Sequence, residues 1–117
     1  MKFTESLKKT CQFRAVYSGG RSCADRFLVL YALKNNTEAN KLGITVSRKV
    51  GKSVTRSRVT RLIREAYRLS EAQIAPGSDL VFLARAPAAG ASYADIRQSL
   101  CSLLKRQRLL REETDLK

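Results

Sequence analysis

Residues 51–68 read GKSVTRSRVTRLIREAYR, five arginines and one lysine against a single carboxylate, Glu65. The run sets the reading of the fold because it combines a helical apolar period with more like charge than solvation requires. At 100° per residue over 54–69, Val59, Leu62, Ile63, Ala66 and Leu69 fall within about 120° of arc, a stripe that must be covered by other elements. Ser57, Arg61, Arg64 and Arg68 fall within about 60° on the other side, in a row roughly 16 Å long at 1.5 Å per residue. Arg56 and Arg58 flank this row near the start of the helix, and Lys49 and Lys52 precede it. Like charges at i,i+3 and i,i+4 weaken an isolated helix by about 0.2–0.5 kcal/mol per pair, so something outside the helix must offset the repulsion.

Working outward, the flanks supply the covering elements. Upstream, KLGITVSR is a strand with Leu42, Ile44 and Val46 on one face, and KNNTEAN before it is a polar turn. RSCADRFLVLYAL reads as a short strand, a tight turn near Asp25, and a strand that alternates Phe27, Val29 and Tyr31 with Leu28, Leu30 and Ala32. Before that, Thr10 caps a short helix running to Ser18 and closed by Gly19 and Gly20. Downstream, Pro76 and Gly77 break the basic helix, and SDLVFLAR is a nearly all-apolar buried strand ended by Pro87 and Gly90. Ser92 caps a last helix, ASYADIRQSLCSLLKRQRLL, whose stripe is Ile96, Leu100, Leu103 and Leu104. The expected order is αβββαβα, an α+β fold in a single domain over residues 1–117.

The chain of 117 residues carries 23 Lys and Arg against 10 Asp and Glu, a formal net charge of +13. That field attracts polyanions. Histidine is absent, which removes the commonest general base, the Cys–His dyads and the metal-binding helix and finger motifs. Asp25, Glu65, Asp79 and Asp95 are scattered and read as capping or solvated acids, so neither a catalytic nor a metal residue is assigned. Cys11, Cys23 and Cys101 lack CxxC spacing and are expected to be reduced thiols. No stretch reaches the roughly 18 apolar residues of a spanning helix, and MKFTESLKK has no apolar signal core, so a cytoplasmic protein without a membrane partner is expected.

Nucleic acid is the polyanion that fits best. Arginine is the only cation over residues 53–68, and its planar fork suits phosphate and stacking better than it suits a diffuse membrane surface. A helix that reads the DNA major groove presents Asn, Gln or small apolar groups, whereas this row offers only Ser57, which points to recognition of backbone and shape. Phe13 and Tyr17, at i and i+4 on the first helix, and Tyr31 on a strand face are rings that either join the core or stack the bases of a single strand. A ribosomal or general RNA-binding protein, and less readily a DNA-binding regulator, share the charge pattern.

The run KVGKSVTRSRVTRLIREAYR is similar to the signature of the bacterial ribonuclease P protein family, an Arg-Asn-Arg core followed by Lys-Arg and a further Arg. LKKTCQFRAVYSGGR, DRFLVLYAL, GSDLVFLARAPAA and the last helix extend the resemblance over nearly the whole chain. It implies an α+β sandwich resembling the second domain of ribosomal protein S5, with a left-handed β-α-β crossover around the basic helix, against the usual preference. It also implies the small subunit of a ribozyme, whose large RNA uses Mg²⁺ to cleave precursor tRNA and make the mature 5′ end. No tightly bound cofactor and no obligate protein partner are implied. Arg56, Arg58, Arg61 and Arg64 match the motif's arginines, whereas Ser57 stands where the family usually has Asn and Thr60 where it usually has Lys. With Lys49, Lys52 and Arg68, these positions are expected to meet the catalytic RNA. Phe13, Tyr17 and Tyr31 match the cleft that holds the 5′ leader of precursor tRNA.

Overall fold

The computed structural model describes residues 4–110. The single-domain expectation also includes residues 1–3 and 111–117, which lie outside that description. Five strands form one mixed sheet: β1 (Thr4–Ser6), β2 (Arg21–Ala24), β3 (Leu28–Lys34), β4 (Asn40–Thr45) and β5 (Ser78–Ala84), in the order β1-β4-β5-β3-β2. Three helices, α1 (Thr10–Gly19), α2 (Ser53–Ser70) and α3 (Tyr93–Arg106), cover it. β4 and β5 are adjacent and parallel, so the basic run between them, α2, is the crossover helix. β5 pairs antiparallel with β3, and β3 with β2.

The central strands sort their side chains by simple alternation. Leu28, Leu30 and Ala32 of β3, Leu42 of β4, and Leu80, Phe82 and Ala84 of β5 face α2 and α3 and form the main core with Val59, Ile63, Ile96, Leu100, Leu103 and Leu104. Burying one such aliphatic side chain contributes about 1.5–3 kcal/mol. The opposite face is thin. There Leu7, Val16 and Val81 are buried, with Phe13, Tyr31 and Leu33 packed against them under α1.

Several expectations shift for identifiable reasons. β1 was not anticipated, because three residues of sequence TES carry no alternation; it exists through pairing with Asn40–Leu42 and through a 2.9 Å bond between the hydroxyls of Thr4 and Tyr67. Thr10 is the first helical residue and not the cap, and the Gln12 amide oxygen accepts from the Lys8 and Lys9 N–H groups at 2.9 and 3.0 Å. The last helix stops at Arg106, short of residue 110, where Arg108 takes a positive φ of 58° and Ile74 bridges to Leu110. The buried stripe of α2 is rotated from the expected one: Val59, Ile63 and Ala66 are joined by Tyr67 and Ser70, while Leu62 is half-buried and Leu69 is 50% exposed. A tyrosine can replace a leucine inside when its hydroxyl finds a partner, and Thr4 provides one.

The expected turn and cap do form. Asp25 Oδ1 accepts from the Phe27 and Leu28 N–H groups, each at 3.0 Å, and receives the Ser99 hydroxyl from α3. Ser92 and Asp95 exchange side-chain to backbone bonds of 3.1 Å, a capping box at the start of α3.

Candidate nucleic-acid interface

α2 begins without a carboxylate in its first turn and without a side-chain cap, so nothing on the helix neutralises its N-terminal dipole. Its Ser57, Arg61, Arg64 and Arg68 are all exposed, as the helical wheel requires. Arg68 differs from the others in pairing with Glu65, Nε to Oε2 at 3.2 Å and Nη2 to Oε1 at 2.5 Å. That contact holds the Glu65 carboxyl below its ordinary value and raises the Arg68 guanidinium. Both groups are solvated, so the pair is weak.

Arg58 points elsewhere. Its guanidinium donates to the backbone carbonyls of Ala89 at 3.3 Å and Ala91 at 2.8 Å, in the turn that leads into α3. Its place beside the row and its match to the family motif put it with the RNA-binding arginines; the structure gives the exposed guanidinium partners within the fold as well. Lys49 and Lys52 are exposed just before the helix. Thr60 is half-buried and donates to Arg56 O at 2.9 Å, the i−4 bond common for Thr in a helix.

Between α2 and the end of β4 lies a groove of about 510 Å³. Arg56, Ser57, Thr60, Arg61 and Arg64 line one wall, and Ile44 and Val46 line the other. A smaller cavity of about 140 Å³ adjoins it, bounded by Phe13, Leu42 and Gly43, and Ile44 and Arg64 border both spaces. Arg64 thus joins the arginine side of the molecule to the aromatic side.

On that aromatic side the three predicted rings do gather. Tyr17 and Tyr31 meet edge to face at 4.9 Å between centroids, and Phe13 lies 6.5 Å from Tyr17. Phe13 and Tyr31 are half-buried against the thin core, whereas Tyr17 is 39% exposed and its hydroxyl bonds Thr45 Oγ1 at 2.9 Å. Gly43 sets the level of the floor: a Cβ there would sit 2.4 Å from Phe13 Cε1, so any side chain would displace the ring. Beyond Phe13, Lys8, Lys9 and Lys41 surround a further hollow of about 420 Å³ with Glu5 and Gln12. Sequence reasoning missed Gly43, Thr45, Ile44, Val46 and these lysines. The LKK before α1 was a signal for the last group, but the others need the register of β4.

Each of the four scattered acids has a structural partner. Asp25 holds a turn, Asp95 a helix start, and Glu65 pairs with Arg68, while Asp79 accepts from Asn35 Nδ2 at 2.8 Å. Among the described residues no three His, Cys, Asp or Glu side chains are grouped to hold a metal ion, and no helix is long and apolar enough to cross a membrane.

A row of solvated arginines beside a cluster of rings, on a strongly basic α+β scaffold, defines an RNA-binding protein. The sequence profile of the family "Ribonuclease P" matches residues 1–108. The ribonuclease P protein component of Clostridioides difficile is 50% identical over 104 residues, covering 88% of this chain and 91% of the relative. Among solved structures, the Staphylococcus aureus RNase P protein superposes with a TM-score of 0.83 at 33% identity, covering 91% of this chain and 97% of that one. The RNase P protein from Thermotoga maritima gives 0.80 at 30% identity, over 87% and 96%. The chain belongs to the ribonuclease P protein family.

Proposed function

We propose that this chain is the protein subunit of a ribonuclease P ribozyme, holding the catalytic RNA with the arginine face of α2 and the 5′ leader of precursor tRNA with the rings beside α1. The observation that carries the reading is the adjacency of the two surfaces: Arg64 and Ile44 border both the arginine groove and the cavity beneath Phe13. A protein so built can hold two RNA segments against one another. Lys49, Lys52, Arg56, Ser57, Arg61, Arg64 and Arg68 face the catalytic RNA, and Arg58 supports that face through the turn before α3. Each neutralised phosphate releases counterions, which raises affinity and lowers the salt and Mg²⁺ the RNA needs for compaction. Phe13, Tyr17 and Tyr31 offer ring surface to unpaired leader bases, so precursor is favoured over mature tRNA. The RNA performs the cleavage and uses Mg²⁺; the protein's side chains bind and position. The complex acts in the cytoplasm.

The test is to add the purified chain to the cognate ribozyme RNA at low Mg²⁺ and follow 5′ cleavage of precursor tRNA. Cleavage should rise sharply over RNA alone, and the chain alone should cleave nothing. A chain that leaves the RNA's activity unchanged and prefers ribosomal RNA overturns the reading.

A further inference from the structure

The groove beside α2 is not uniformly cationic. Its β4 wall is apolar: Ile44 and Val46 are half-buried, packed from below against the main core and exposed from above to the groove. A surface meant only for phosphates has no use for such a floor, since phosphate contacts need only charge and hydrogen-bond donors. The opposite wall holds the guanidinium groups, and Arg56 Nε among them is buried without a hydrogen-bond partner. Thr60 spends its proton on Arg56 O, which leaves its oxygen as an acceptor beside the groove.

The strand edge adds backbone groups. β1 covers β4 only from Asn40 to Leu42, and no described strand pairs with that edge beyond. Leu42 O accepts from Leu7 N at 2.9 Å on this side, so alternation along the strand turns the Ile44 carbonyl the same way, toward open space. One groove therefore combines an apolar patch, a peptide edge and guanidinium donors. The volume of about 510 Å³ lies in the range of small-molecule sites.

We infer that this groove takes one unpaired nucleotide of the catalytic RNA, its base lying on Ile44 and Val46 and its phosphate among Arg56, Arg61 and Arg64. A base has apolar faces and a polar edge, and its phosphate is anionic, so it matches the three parts of the groove in one unit. The helix row then fixes an extruded nucleotide as well as tracking a backbone. The inference rests on the proposed function, since it assigns the ligand to the ribozyme RNA.

The experiment measures the affinity of the full chain for the ribozyme RNA over a salt series, without tRNA, for wild type, Val46→Ala and Val46→Leu. Val46→Ala removes the floor, and Val46→Leu keeps its apolar character but fills the space of the base. Both should weaken binding about five- to tenfold, as loss of part of a base contact does, with the salt slope unchanged. Base-directed chemical probing of the complex should show one unpaired nucleotide protected by wild type and reactive with both variants. If Val46→Ala fails to fold, Val46→Leu carries the comparison. Variants that bind like wild type, or a loss that comes with a shallower salt slope, each overturn the assignment. Absence of wild-type binding overturns the functional reading together with it, whereas wild-type binding with indifferent variants overturns the groove alone.

Discussion

The two faces of the sheet are built to different standards of rigidity. Toward α2 and α3, nineteen buried residues form one apolar cluster, whereas toward α1 the buried apolar cluster of the described residues has three members, Leu7, Val16 and Val81. The thick side fixes the arginine row to the scaffold; the thin side holds Phe13, Tyr17 and Tyr31 with little beneath them. A rigid charge pattern suits a partner of fixed shape, and a lightly held ring cluster suits segments that vary from one substrate to the next. Local opening is easiest where few apolar contacts must be broken, so α1 is the element that can adjust.

The largest expected effect tests the thickness itself. Phe82→Ala, on the α2 side, should cost about 3–5 kcal/mol of unfolding free energy, while Val16→Ala should cost about 2 kcal/mol. Denaturant titration reads both, and equal losses would break the contrast. Next comes the lightly held cluster: Tyr17→Ala should weaken binding of precursor to the holoenzyme by about 1–3 kcal/mol and leave mature tRNA nearly unaffected. Parallel losses for both substrates would return the ring to a packing role.

The arginines sharpen the comparison at a third level. Arg58→Ala should lower thermal stability, by about 1–2 kcal/mol for two lost charge-assisted bonds at an exposed site, and leave the salt slope of RNA binding intact. Arg61→Ala should do the reverse and reduce that slope by about 1. An Arg58 variant with wild-type stability and a reduced slope would move it back to the RNA face.

Burial also raises the Tyr67 hydroxyl above its ordinary value of 10.0. The unfolded chain therefore releases this proton first, and the stability linked to it is full below pH 10 and is lost as the pH rises through the folded-state value. Tyr67→Phe should flatten the alkaline limb of a stability profile; an unchanged limb would assign it to other groups. The smallest effect concerns Glu65→Gln, which releases Arg68 and should steepen the salt slope by less than about 1.

How far the residues themselves disclosed this molecule follows from the range of each signal. α2, β3, β5 and the capped start of α3 were legible because their periods are local, and the row of Ser57, Arg61, Arg64 and Arg68 needs only 100° per residue. β1 was not legible, since Thr4–Ser6 becomes a strand only when Asn40–Leu42 lies beside it. The destination of Arg58 was hidden for the same reason, because Ala89 and Ala91 are 31 and 33 residues away. The rings could be named from α1 and β3, yet the floor that seats them is Gly43, visible only once Phe13 is placed upon it.

The partly covered edge of β4 has one more consequence, for the protein before it meets RNA. An unpaired strand edge invites a second chain to add on and aggregate, and proteins commonly guard such edges with charge. Arg64 and Arg61 border the groove along this edge on a chain of net charge +13, so two free copies repel one another there. The guanidinium groups that draw in a polyanion thus also oppose the addition of a second copy at this edge. An RNA that neutralises them must cover the edge in the same step, and a fragment too short to do so should precipitate the protein rather than assemble with it.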